Sequence, residues 1–65
     1  MTFCKKLKET TINGKTITAM ECTEKYAAAP EYMIIKSENG IGLETIKAAR
    51  TTWRKKYAQL VDELQ

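Results

Sequence analysis

LETIKAARTTWRKKYAQLVDEL, residues 43–64, is the stretch on which the fold of this chain turns. Ile46, Ala49, Trp53, Tyr57, Leu60 and Leu64 follow one another at intervals of three or four residues. At about 100° of rotation per residue they fall in one stripe about 80° wide, as on an amphipathic helix, and Leu43 and Val61 extend it. The spacing predicts a helix over about residues 43–64. Thr51 and Thr52 are poor interior helix residues, which leaves a second reading: a helix that starts at Thr51, with residues 41–48 as a strand. Charge placement favours the long helix. A start at Thr51 sets Arg54, Lys55 and Lys56 against the positive end of the helix dipole, where the long version has Glu44.

Upstream, EYMIIK follows Pro30 as a short apolar run rich in β-formers and predicts a strand over residues 31–37. SENGIG, residues 37–42, makes a turn in which Gly40 and Gly42 supply backbone freedom. TEKYAAAP, residues 23–30, reads as a connection with a helical turn capped by Thr23 and ended by Pro30, which disfavours helical geometry at Ala29.

Residues 2–22, TFCKKLKETTINGKTITAMEC, carry β-formers on both sides of Asn13-Gly14, a dipeptide suited to the positive φ angles of a type I′ turn. With those two as the loop, Ile12 pairs with Lys15, Thr10 with Ile17 and Leu7 with Met20. One face then carries Phe3, Leu7, Met20 and Cys22, and the other Lys6, Lys8, Lys15, Ile12, Ile17 and Ala19. Burial of the first face leaves the lysines exposed beside Ile12 and Ile17, unless a bulge transfers side chains between faces partway along. The expected architecture is α+β and single-domain over residues 1–65. It is a three-stranded antiparallel sheet, four-stranded if residues 41–48 are a strand, with one C-terminal helix packed across it in the order β-β-β-α.

A chain of 65 residues removes only about 60% of its unfolded surface from water, so a deep substrate pocket is not expected. Hydrophobic residues make up 43% and charged residues 29%, too apolar a mixture for disorder. Eleven Lys and Arg against eight Asp and Glu give a net charge of +3, which admits an anionic partner without requiring one. Cys4 and Cys22 are the sole pair able to form a disulfide. With no histidine to complete a zinc site, they read as two reduced thiols acting as small hydrophobes. Lys5, Lys6 and Lys8 are not followed by the apolar segment of a signal peptide, and no stretch is long enough to span a membrane, so a cytoplasmic location away from membranes is expected.

Lys47, Arg50 and Arg54 recur at spacings of three and four along one flank of the apolar stripe, with Lys55 further toward solvent. Such a row can follow a phosphate backbone, and it can equally be a solvated face whose long side chains shield the core edge. Lys6, Lys8 and Lys15 on the hairpin are suited to anchoring a ribbon in a groove, and equally to protecting a strand edge from aggregation. Lys5 points away from these three in the register above. Trp53 and Tyr57 lie mid-stripe and read as core. No histidine, paired carboxylates, metal-ligand spacing or phosphate-binding glycine loop is present, so no catalytic residue, metal or cofactor is expected.

The plan of a three-stranded sheet backed by a C-terminal helix resembles that of small DNA-reading modules such as integrase arm-binding domains, which set the sheet face in the groove. The likeness is one of architecture and carries no residue over. The sequence thus points to a small non-catalytic accessory protein that binds nucleic acid through phosphates, using Lys6, Lys8, Lys15, Lys47, Arg50, Arg54 and Lys55. A second reading is a protein-interaction module or inhibitor whose contact surface is the sheet face around Ile12 and Ile17, or a strand edge. Either is compatible with a monomer or with a homodimer closed over Leu60, Val61 and Leu64.

Overall fold

The structure, a computed structural model, describes residues 2–24 and 29–65. Four strands, β1 (Thr2–Ile12), β2 (Lys15–Glu24), β3 (Glu31–Glu38) and β4 (Ile41–Ala48), form an antiparallel sheet in chain order, followed by one helix, α1 (Trp53–Leu64). The α+β class and the C-terminal helix stand, and the sheet has its fourth strand.

The long helix over 43–64 is therefore corrected. Its first part pairs with β3, setting Ile46 opposite Ile34 and Ala48 opposite Tyr32. The chain turns at residues 49–52, where the Thr52 and Trp53 amides donate to the Ala49 carbonyl at 3.1 and 3.0 Å. The Thr52 hydroxyl accepts from the Ala49 amide at 3.0 Å, so the two threonines that are poor helix formers make the corner. Placing Arg54, Lys55 and Lys56 in the first turn costs about 0.3–1 kcal/mol per charge. A ladder of backbone hydrogen bonds to β3, together with partial burial of Ile46, outweighs that cost.

Both tight turns are Asn-Gly. Asn13 and Gly14 have φ of 52° and 81°, and Asn39 and Gly40 have φ of 53° and 80°, the left-handed pair that a two-residue hairpin requires. The turn expected over residues 37–42 narrows to Asn39-Gly40, and Gly42 lies within β4. The helical turn expected from Thr23 is corrected at its start, because Thr23 and Glu24 continue β2; residues 25–28 lie outside the described residues.

The β1–β2 pairing keeps Ile12 opposite Lys15 and Thr10 opposite Ile17, then shifts between Lys6 and Lys8, so that Lys6 and not Leu7 faces Met20. Leu7 is the extra residue of a bulge. The shift brings Cys4 directly opposite Cys22, and the two form a disulfide, which corrects the reading of two reduced thiols. Without the bulge Cys4 would have faced Thr23.

The helix covers the face that carries Ile17 and Ala19 of β2 and Tyr32 and Ile34 of β3, and Trp53, Tyr57 and Leu60 meet them to make the core. Ile17 and Ile34 are 0% exposed, and burying each stabilises the fold by about 1.5–3 kcal/mol. This reverses the expected hairpin faces. Ile17 is at the centre of the core and presents no contact surface, and Ile12 is half-buried on the same side. The uncovered face carries Met20, Met33 and Ile35, each half-buried, with the disulfide beside them.

Candidate anion-binding site

The seven basic residues singled out in the sequence do not share one surface. Lys6 and Lys8, two apart, would face the same way in a regular strand; the bulge at Leu7 separates them. Lys6 falls on the uncovered face, in a row that runs Lys6, Met20, Met33, Lys47 across the four strands. Its ammonium lies 3.6 Å from Glu9. Lys47 ends that row on the opposite edge. Lys15 is half-buried at the far end of the hairpin, where Asn13 Nδ2 donates to the last helical carbonyl, that of Leu64, at 3.3 Å.

Arg54 shares one cavity with Lys8 and another with Arg50. A groove between β1 and α1, about 240 Å³ in volume, is lined by Lys8, Trp53, Arg54, Tyr57 and Asp62. The Lys8 ammonium lies 5.5 Å from the centre of the Tyr57 ring, and the Arg54 guanidinium 5.1 Å from that of Trp53. These cation–π contacts hold both heads at the groove without neutralising them. Tyr57 is fixed in turn by a hydrogen bond between its hydroxyl and that of Thr10.

A second cavity, of about 250 Å³, shares Trp53 and Arg54 with the first and is also lined by Leu7, Glu21, Tyr32 and Arg50. The Tyr32 hydroxyl donates to Glu21 Oε2 at 2.8 Å, and its ring is parallel to that of Trp53 with centroids 6.2 Å apart. That hydrogen bond raises the Tyr32 pKa above its ordinary value, and burial and the Glu21 charge push the same way; Arg50 and Arg54 oppose them. Tyr32 is thereby kept a donor. Lys5 pairs with Glu21 across the strands and so lies on this side of the sheet, together with Lys8 and not apart from it.

The single ion pair among the described residues is that of Lys6 with Glu9, so Lys8, Arg50 and Arg54 all keep their charge unpaired. Lys55 is exposed in the same first helical turn, which holds no acidic residue, and the Thr52 side chain makes no capping bond there. Sequence spacing alone could not find Glu21. Its signal is the register that sets it opposite Tyr32 on one side and Lys5 on the other.

Among the described residues no group of three or more Cys, Asp or Glu is placed to hold a metal, and no helix is long and apolar enough to cross a membrane. No family model, curated protein or solved structure matches the chain.

Proposed function

We propose that the protein binds nucleic acid weakly and through its phosphates, without catalysis. The observation that carries this reading is that Lys8, Arg50 and Arg54, none of them ion-paired, line two cavities that share Trp53 and Arg54 at the start of α1. Arg50 and Arg54 offer planar donor forks suited to phosphate oxygens, and Lys8 adds a point charge. Trp53 and Tyr57 are 7% and 6% exposed, so they support the cations and do not stack on bases themselves.

Three phosphate contacts predict that affinity for a short mixed-sequence strand or duplex falls roughly 20- to 40-fold between 50 and 200 mM salt. Fluorescence anisotropy reads this directly. The triple variant Lys8→Gln, Arg50→Gln, Arg54→Gln keeps much of the stem packing and should flatten the salt slope, whereas Lys6→Gln with Lys47→Gln, on the other face, should change it little. No binding at 50 mM salt would remove the proposal.

The second reading, a protein-interaction module, moves from Ile12 and Ile17 to the uncovered face, where half-buried Met20, Met33 and Ile35 favour it. A cytoplasmic location stays part of the proposal, with the Cys4–Cys22 bond counting against it, since disulfides persist mainly in oxidising surroundings.

A further inference from the structure

The cavity around Glu21 contains a carboxylate and two guanidinium groups that have not paired with one another. Arg50 and Arg54 both line it, yet neither is in an ion pair, and Glu21 accepts one hydrogen bond, from Tyr32 to Oε2. Oε1 has no hydrogen bond or ion pair among the described residues. An unpaired acceptor beside unpaired cations suits a ligand that carries both complements, a pair of donors and a nearby anion. The Tyr32 bond leaves Glu21 one oxygen fully free and one lone pair on the other.

We infer that this cavity takes a single unpaired guanine, with Glu21 receiving the Watson–Crick edge of the base while Arg50, Arg54 and Lys8 hold the adjoining phosphates. Guanine presents two adjacent donors, N1–H and the N2 amino group, to one carboxylate. Adenine and cytosine set a ring acceptor next to their amino donor, and uracil and thymine flank their single N–H with two carbonyls. A carboxylate repels each of these arrangements, so one side chain makes the choice. Guanidinium planes are a common stacking surface for an unstacked base, and Arg50 and Arg54 both line the cavity. At about 250 Å³ the cavity is below the usual size of a small-molecule site, enough for one base with its sugar and phosphate outside. A base in a duplex cannot present this edge, so the ligand is single-stranded.

The inference rests on the phosphate-binding reading, and one experiment separates the two. Anisotropy is measured at 50 mM salt on labelled thymine octamers with one central guanine, inosine or adenine, which differ only in the base edge. The guanine strand should bind about tenfold more tightly than the adenine strand, with inosine, which lacks the N2 amino group, between them. Glu21→Gln keeps an acceptor for Tyr32 and should bind all three alike. Glu9→Gln removes the same charge from the opposite face of the sheet and should preserve the preference.

Equal binding of the three strands by the wild-type protein would overturn the guanine site while leaving phosphate binding in place. No binding of any strand would remove both. A free guanine nucleotide offers the same edge, so guanosine and adenosine monophosphates are added as competitors. Displacement by the guanosine form at concentrations comparable to the unlabelled guanine octamer would overturn the assignment to a strand. Should Glu21→Gln fail to fold, the comparison of strands on the wild-type protein still decides.

Discussion

Tyr32 joins the core to the candidate site through one hydroxyl. Its ring stacks on Trp53 and its oxygen orients Glu21, so the ionisation of this phenol reports on both. Because its pKa is raised in the folded protein, the stabilisation it contributes is complete below the ordinary tyrosine value near 10 and is lost as pH climbs through the folded value. Ultraviolet titration of the native protein should therefore show one tyrosine ionising later than an unperturbed phenol, and Tyr32→Phe should abolish that late step. All tyrosines titrating near 10 in the wild type would mean that the bond to Glu21 does not form in solution.

At the scale of the element, α1 is charged against its own dipole. Arg54, Lys55 and Lys56 occupy its first turn, and Asp62 and Glu63 lie near its end. A helix selected for stability alone would carry the opposite arrangement, and a bound anion at the N-terminus would relieve part of the conflict. Lys55→Glu should therefore raise stability by about 0.5 kcal/mol, read from urea unfolding, while weakening binding to a single strand. Opposite signs in the two measurements link the charge pattern to function. Unchanged binding with higher stability would leave Lys55 a solvated charge.

The whole molecule is a thin assembly, one sheet covered on one face by one twelve-residue helix, and its disulfide matters in proportion. A domain of this length has about 3–10 kcal/mol of net stability. Closing the 18-residue separation between Cys4 and Cys22 accounts for about 3 kcal/mol of it by restricting the unfolded chain. Reduction by a dithiol, verified by mass, should lower the melting temperature by more than about 10 °C. An unchanged melting temperature would show that the sheet holds β1 without the bond. Since β1 also carries Leu7 and Lys8, loss of the bond should loosen the groove before the core.

The class, the antiparallel hairpin at Asn13-Gly14, the third strand and the helical character of Trp53, Tyr57, Leu60 and Leu64 were legible in the residues alone. Each of these is set by local chemistry: left-handed turn residues, β-branched runs and 3.6-residue spacing. The sequence did not settle residues 41–48, because Ile46 matches the helical stripe as well as it matches a strand. Pairing with β3 decided the matter, and that pairing is non-local. Nor was the site legible beyond its cations. One extra residue, Leu7, puts Lys6 and Lys8 on opposite faces, brings Cys4 to Cys22 and lays Lys5 beside Glu21. A bulge has no strong local signal, and since strand side chains alternate with a period of two, a shift of one residue reassigns every side chain beyond it.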